Sequence, residues 1–300
     1  MTTGGRGLDC TLARELASAG LGSASISIDG AELTHDRLRG SRGSYRDALA
    51  AMRALREAGV RVTVNTQINR LNVPDLPGIL EVLVAEGAEA WQIMLTVAMG
   101  RAADEPDVLL QPYDLLDLFP LVDRLAARCE ECGIRLYPGN NLGYFGPYES
   151  RLRGTLPRGH TNSCAAGRTT LGIESDGLVK GCPSLPSAAW GGGTIREHSL
   201  VEIWERASAL RYTRDRTVDD LTGFCRTCYY ADTCRAGCTW TASVLFGRPG
   251  DNPYCHHRAL ERDREGLRER LVLREPAPGE PFDHGIFDLI VEPVPGSKRT

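Results

Sequence analysis

The chain has 300 residues, of which 42% are hydrophobic and 25% charged, and its formal net charge at pH 7 is −4. This composition can bury a sizeable core, and the length suits one large domain followed by a small one. The 35 basic residues, nearly all arginine, are scattered among 39 acidic ones, which excludes a nucleic-acid-binding surface or a polybasic membrane anchor. With neither an apolar signal region nor a membrane-spanning stretch, the sequence predicts a soluble, cytoplasmic protein.

From its start to about residue 139, the sequence alternates short apolar runs with amphipathic stretches. This alternation predicts repeated strand–helix units on a parallel sheet. The predicted fold is therefore α/β, with residues 1–139 forming a partial (β/α) barrel. The predicted strands cover 23–28, 60–68, 90–98 and 134–138, and the predicted helices cover 44–59, 77–87 and 113–133.

Three further regions follow the predicted barrel. Residues 140–163 are rich in glycine, proline and asparagine and are predicted to bridge two domains. Cysteine density then rises, and residues 164–258 are predicted to form a small α+β domain. Residues 259–300 are predicted to be a charged helix, from about Ala259 to Arg274, followed by a tail.

Seven of the ten cysteines form one ordered pattern. They are Cys164, Cys182, Cys225, Cys228, Cys234, Cys238 and Cys255. The central four are spaced Cys-x2-Cys-x5-Cys-x3-Cys, and Asp176-Gly177 predicts a hairpin turn shortly before the second cysteine. Thiolates are the preferred ligands of iron–sulfur clusters and of zinc, and short loops bring consecutive thiolates to one centre. Because seven thiolates are too many for one four-ligand site, the pattern predicts two sites.

This pattern resembles the SPASM domain, the auxiliary-cluster module of many radical S-adenosylmethionine (SAM) enzymes. The resemblance implies two 4Fe–4S clusters with different ligand sets. One set is Cys225, Cys228, Cys234 and Cys255, and the other is Cys164, Cys182 and Cys238. The second cluster would lack a cysteine ligand, which implies an open iron site or a non-thiol ligand such as His160. His256 and His257 are expected to lie near the ligands or at the surface.

Two other interpretations of the cysteines stay open. Structural zinc is one, because Cys-x2-Cys pairs commonly bind it. Disulfides are the other, although they belong to oxidising compartments. The remaining cysteines, Cys10, Cys129 and Cys132, are predicted to be structural or surface thiols and not metal ligands.

The phrase SISIDG at 25–30, followed by THDRLRG at 34–40, resembles the fourth strand of radical SAM/SPASM enzymes. The resemblance implies that Ser27 and Asp29 contact SAM at the mouth of the barrel, with Arg39 as a partner for a carboxylate. The alternative is a strand-ending turn and a solvated helix cap. Four alternating residues on the next two predicted strands are candidates for a substrate cavity: Asn65, Gln67, Gln92 and Met94.

The sequence departs from this family at one point. A radical SAM enzyme holds its SAM-binding cluster with a Cys-x3-Cys-x2-Cys loop after the first strand, and no such triplet occurs here. Aligning SISIDG with the fourth strand makes MTTGG the remainder of the third. We therefore expect this chain to be an N-terminally truncated form of a longer protein. The sheet of the truncated chain would have an unpaired edge.

The resemblance implies a radical SAM/SPASM maturase that modifies a ribosomally made precursor peptide or a protein. Its implied cofactors are SAM and two 4Fe–4S clusters, and its implied electron donor is a flavodoxin or ferredoxin. Without the cysteine triplet, this chain is expected to be inactive in SAM cleavage. The alternatives are a non-catalytic iron–sulfur protein for electron transfer or peptide binding, and a zinc-stabilised binding module.

Overall fold

The computed structural model describes residues 1–143, 145–154, 164–280 and 283–296. The chain divides into two compact units. The first, called the barrel unit, comprises 1–96, 117–142 and 148–154, and the second, the cysteine-rich unit, comprises 97–116, 143–147 and 155–300. The predicted domain limits at residues 139, 163 and 258 stay predictions. The division into units differs from them in one respect, since it assigns 97–116 to the cysteine-rich unit.

The described residues form ten strands and fourteen α-helices. The strands are β1 (Thr2–Thr3), β2 (Ser23–Ser27), β3 (Arg61–Ile68), β4 (Ala90–Leu95), β5 (Arg135–Pro138), β6 (Gly172–Ile173), β7 (Leu178–Lys180), β8 (Gly191–Thr194), β9 (Leu267–Glu275) and β10 (Ile286–Pro293). The helices are α1 (Cys10–Ser18), α2 (Glu32–Arg39), α3 (Ser44–Glu57), α4 (Leu76–Ala85), α5 (Arg101–Asp104), α6 (Leu115–Cys132), α7 (Glu149–Arg153), α8 (Ser187–Trp190), α9 (Leu200–Arg206), α10 (Ser208–Asp215), α11 (Gly223–Thr227), α12 (Ala231–Cys234), α13 (Thr239–Phe246) and α14 (His256–Arg264).

The barrel unit contains one parallel sheet with strand order β1-β2-β3-β4-β5. This confirms the four predicted strands and the α/β class. Along β3, buried residues such as Val64 and Thr66 alternate with partly exposed ones such as Asn65 and Gln67. One face of the sheet is therefore packed into a core that includes Ile26, Met52, Leu55, Leu80 and Trp91. We call the other side the open face.

A hydrogen-bonded relay links three strands inside this core. The indole Nε1–H of Trp91 donates to the Thr66 hydroxyl at 2.8 Å, and that hydroxyl donates to the Ile28 carbonyl at 2.6 Å. Trp91 and Thr66 are both fully buried. A buried polar group that loses its partner carries the cost of desolvation without compensation, so the relay fixes the register of the central strands.

The cysteine-rich unit holds a three-stranded antiparallel sheet and a separate two-stranded hairpin, β9–β10. The predicted turn at Asp176-Gly177 is confirmed: it joins β6 to β7, and Gly177 has a φ of +93°, which favours glycine. Among the described residues of both units, no helix has the length and apolar character needed to cross a bilayer.

The predicted helix from Ala259 to Arg274 is wrong over its second half. The helix α14 ends at Arg264, and Leu267–Glu275 is the strand β9. The segment LRERLVLRE alternates in steps of two, which puts Leu271 on the buried side. Its partner β10 contains the apolar run that had been predicted as tail, and pairing with a second strand decides the conformation of such a short segment.

We predict that Thr66→Val weakens the sheet of the barrel unit. Valine keeps the shape but leaves the Trp91 indole N–H without its acceptor, which lowers the opening free energy of β3 by about 1–3 kcal/mol. Hydrogen-exchange mass spectrometry on β3 peptides measures this change.

The matched control for that substitution is Thr63→Val on the open face of the same strand. The Thr63 hydroxyl makes only a 3.4 Å bond to the Ala24 carbonyl, so its loss changes the opening free energy by less than about 0.5 kcal/mol. Equal effects of the two substitutions would contradict the relay.

Candidate functional site

Four of the predicted ligands line one cavity in the cysteine-rich unit, here called the first cavity. They are Cys225, Cys228, Cys234 and Cys255. Half of the other lining residues carry aromatic rings: Phe145, Phe224, Tyr230 and His257. Phe145 and Tyr230 stack with their ring centroids 4.2 Å apart, and His257 meets Tyr230 edge-on at 5.0 Å. The thiols thus face a space that aromatic rings shield from water.

Backbone amides point at two of these sulfur atoms. The N–H of Asn252 donates to Cys225 Sγ, and the N–H of Tyr230 donates to Cys228 Sγ, both at 3.4 Å. Burial raises the pKa of both thiols, and these amides act in the opposite direction. Amide donors of this kind surround the sulfur ligands of iron–sulfur clusters and help to set their potentials.

A buried charge network holds the segment that carries Asn252. Arg258 is 2% exposed and pairs with Glu269 of β9 at 2.6 Å and with Asp251 at 2.5 Å. Asp251 in turn accepts the N–H of Cys225 at 3.4 Å. Arg258 therefore connects the C-terminal hairpin to the loop of Asp251 and Asn252. That loop contacts Cys225 twice, through the backbone N–H of Cys225 and through its sulfur.

The chain also approaches Cys255 very closely from a second side. A Cβ atom placed on Gly143 would lie 2.2 Å from the Cα of Cys255 and 2.4 Å from the carbonyl oxygen of Tyr254. A Cβ on Gly146 would lie 2.1 Å from His256 Nδ1. Burial lowers the pKa of His256 to about 4, so this ring packs against Gly146 in its neutral form.

The other three predicted ligands, Cys164, Cys182 and Cys238, line a second cavity in the same unit. Trp190, Leu210, Tyr212 and Trp240 complete much of its wall. Burial raises the pKa of Cys164 to about 11. Burial also raises the pKa of Cys238, and the hydroxyl and amide of Thr241 oppose that rise. Both thiols are thus protonated near neutral pH unless a metal displaces their protons.

A left-handed turn separates Cys234, in the first cavity, from Cys238, in the second. Arg235, Ala236 and Gly237 have φ values of +51°, +59° and +57°. Two consecutive non-glycine residues in this region are strained, and such strain persists only where the surroundings enforce it. The turn directs two cysteines that are close in sequence into different cavities.

The three cysteines predicted not to be metal ligands line neither cavity. Cys10 is exposed, with its thiol 3.9 Å from Glu57 Oε2, and Cys129 is buried with its pKa raised to about 12 by burial. Neither of them, nor Cys132, lines either cavity. His160 lies outside the described residues.

The open face of the barrel unit carries a row of polar side chains. Ser27 pairs with Asn65, Asn65 with Gln92, and Gln92 with Tyr137 across four neighbouring strands. A cavity of about 370 Å³ lies over this face, and Asn65, Gln92 and Tyr137 line it. Gln67 and Met94 form the next cross-strand pair.

Asp29 and Arg39 contact each other at the carboxyl end of β2. The Asp29 carboxylate is buried and accepts the N–H of Gln67 at 2.8 Å and the Arg39 guanidinium at 2.5 Å. The Asn72 side chain donates to the Asp29 carbonyl at 2.7 Å. Sequence reasoning offered Arg39 as a partner for a carboxylate but missed that this carboxylate is Asp29, because the contact depends on how the segment folds back after β2.

Comparison with known proteins places these observations in a family. Residues 164–229 match the SPASM family model, described as an iron–sulfur cluster-binding domain. The chain is 30% identical over 266 residues to an AdoMet-dependent heme synthase from Methanosarcina barkeri, covering 86% of this chain and 74% of that protein. The chain belongs to the radical SAM/SPASM family.

Two further comparisons fit this membership. A PqqA peptide cyclase from Granulibacter bethesdensis is 27% identical over 82% of this chain and 63% of its own length. Streptococcus suis SuiB, solved with S-adenosylmethionine bound, superposes with a TM-score of 0.59 at 15% identity over 85% of this chain. At that identity the likeness shows the fold alone. The chain spans 57% of the SuiB chain.

The donor set of the SPASM cysteines fits a cluster better than a single ion. Among the residues that the structure describes, no three Cys, His, Asp or Glu side chains converge closely enough to hold one metal ion. The thiols instead surround two spaces, as ligands of a multi-atom iron–sulfur core must. All ten cysteines lie in described segments and are free thiols, so the geometry gives no support to disulfides.

We predict that Gly143→Ala removes one cluster. The added methyl group would displace Cys255 and Tyr254, so a reconstituted variant should hold about half the iron of the parent. Iron analysis by mass spectrometry measures this loss. The control is Gly78→Ala in α4, where an added Cβ meets nothing within 4 Å. Full iron content in Gly143→Ala would contradict the role given to this contact.

Proposed function

We propose that the chain binds two auxiliary 4Fe–4S clusters and serves a radical SAM enzyme that modifies a peptide or protein, without cleaving SAM as these 300 residues. The observation that carries the proposal is the distribution of seven thiols over two cavities of one SPASM-type unit. Four thiols at the first cavity supply a full ligand set, and three at the second leave one iron position for another ligand. When bound, such clusters supply electron-transfer capacity or a ligand for substrate.

The proposed substrate is a ribosomally made peptide. A PqqA peptide cyclase is among the relatives, and SuiB has also been solved with its precursor peptide SuiA bound. The open face of the barrel unit offers amide and hydroxyl groups on Asn65, Gln92 and Tyr137, which suit the alternating donors and acceptors of a peptide backbone. The proposed electron donor is a flavodoxin or a ferredoxin.

Ser27, Asp29 and Arg39 remain the proposed contacts to SAM. Ser27 belongs to the polar row of the open face. Arg39 already pairs with Asp29, so the carboxylate of an incoming SAM would compete with Asp29 for the same guanidinium. The pairing also keeps Arg39 oriented, which limits the ordering cost when a second anion binds.

A tetrapyrrole is the second candidate substrate. The observation in its favour is the 30% identity to an AdoMet-dependent heme synthase. When a metalloporphyrin binds to the cluster-loaded protein, the absorption band of the porphyrin shifts. Binding of a peptide produces no such shift. Saturable binding of iron coproporphyrin together with no binding of candidate precursor peptides would favour this second candidate.

We predict that two classes of cysteine respond differently to substitution. Cys228→Ala and Cys182→Ala should each lower the iron content of anaerobically reconstituted protein from about eight to about four atoms per chain. Cys129→Ala should leave it unchanged, because that thiol lines neither cavity. If Cys129→Ala loses as much iron as Cys228→Ala, the proposed ligand sets are wrong.

We also predict that these 300 residues do not cleave SAM. The sequence lacks the Cys-x3-Cys-x2-Cys triplet of the family, and the barrel unit offers only Cys10, Cys129 and Cys132. Reconstituted protein incubated with SAM and dithionite should give no 5'-deoxyadenosine above a protein-free control. Sustained 5'-deoxyadenosine production would contradict this prediction, whereas its absence together with two intact clusters is what the proposal requires.

A further inference from the structure

Arg216, directly after helix α10, is a buried cation in the cysteine-rich unit. Its residue is 2% exposed, and its guanidinium donates to the Tyr212 hydroxyl at 3.1 Å, the Thr239 hydroxyl at 3.3 Å and the Gly237 carbonyl at 3.5 Å. It also lies over the Tyr212 ring, 5.0 Å from the centroid. All of these contacts are to neutral groups.

This environment differs from that of the other buried arginines among the described residues. Arg258 pairs with Asp251 and Glu269, and Arg153 pairs with Glu149. Arg216 has no carboxylate within 4.0 Å among the residues that the structure describes, and its Nε–H is buried without a hydrogen-bond acceptor. The carboxylate of Asp220 interacts electrostatically with Arg216 but forms no ion pair with it within 4.0 Å. A buried cation without an ion-paired partner is unfavourable, so an anion in the neighbouring cavities would stabilise it.

The contacts of Arg216 place it beside both cysteine cavities. Gly237 and Thr239, which it binds, flank Cys238 of the second cavity. Gly237 also lines the first cavity. Arg216 is therefore held by one residue that lines the first cavity and by one that lines the second.

We propose that Arg216 is a shared counter-ion for the two anionic clusters and raises the reduction potential of each. This inference rests on the proposed function. An iron–sulfur core held by cysteine thiolates carries net negative charge, and one-electron reduction makes it more negative. A fixed positive charge in a buried, low-dielectric position stabilises the reduced form more than the oxidised form. The hydrogen bonds to Gly237 and Thr239 hold the guanidinium between the cavities.

The test compares three variants of the full chain after anaerobic reconstitution. Arg216→Gln removes the charge but keeps a side-chain N–H donor, and Arg216→Lys keeps the charge. Arg211→Gln is the control, because Arg211 lies on the preceding helix α10 and forms an exposed pair with Asp215. Iron content and a dithionite titration followed by electron paramagnetic resonance give occupancy and the midpoint potential of each cluster.

The inference predicts that Arg216→Gln shifts both midpoint potentials to more negative values. Arg216→Lys should keep them close to those of the parent protein, and Arg211→Gln should leave them unchanged because water and salt screen an exposed charge. Unchanged potentials in Arg216→Gln would overturn the inference, as would an equal shift in Arg216→Lys. A shift in only one cluster would overturn the shared role.

Loss of clusters from a variant is also decisive. If Arg216→Gln loses clusters that Arg216→Lys retains, the charge is what the site needs and the inference holds. If both variants lose them, the hydrogen-bonding geometry of arginine is what matters, and the counter-ion role is overturned. Failure of the proposed function is recognised separately, because the parent protein in the same preparation would then hold no clusters.

Discussion

The cysteine-rich unit depends on one constraint: its sulfur atoms have to surround a space and not meet at a point. A single zinc ion needs its ligands to converge, and the described residues offer no such convergence. Thiols that ring a cavity suit an iron–sulfur core, whose own atoms fill the middle. Burial keeps several of these thiols protonated on their own, so cluster assembly and folding of this unit are coupled.

Three features around the cavities support this arrangement: a backbone turn, backbone amides and a group of ion pairs. The left-handed turn at 235–237 lies between Cys234 of the first cavity and Cys238 of the second. Amides of Tyr230 and Asn252 point at sulfur. The ion pairs of Arg258 connect β9 to the loop that carries Asn252. The C-terminal hairpin, which carries none of the seven thiols, thus helps to define the shape of the first cavity.

Much of this architecture could be predicted from the sequence, for two physical reasons. Metal ligands need particular residue types at short spacings, so the cysteines stood out without any structure. Strands of a buried parallel sheet need apolar residues in runs or alternation, so β2 to β5 were predicted within a few residues. The hairpin turn was equally visible, because an Asp-Gly pair is typical of tight turns, and Gly177 indeed has a φ of +93°.

The remainder depends on contacts between distant segments. β9 was mistaken for the end of a helix, since its conformation is decided by pairing with β10. The pairing of Asp29 with Arg39 and the burial of Arg216 were invisible, because one arginine among 35 basic residues carries no mark of burial in the sequence. Charge placement around a site is a tertiary property, whereas ligand spacing is a local one.

The metal content of protein purified without exposure to oxygen tests the central claim most directly. Two clusters held by seven thiols predict about eight iron atoms and about eight acid-labile sulfides per chain after reconstitution, with only trace zinc. Stoichiometric zinc in the natively purified protein, with no iron and no labile sulfide, would contradict the account and favour a zinc-stabilised module.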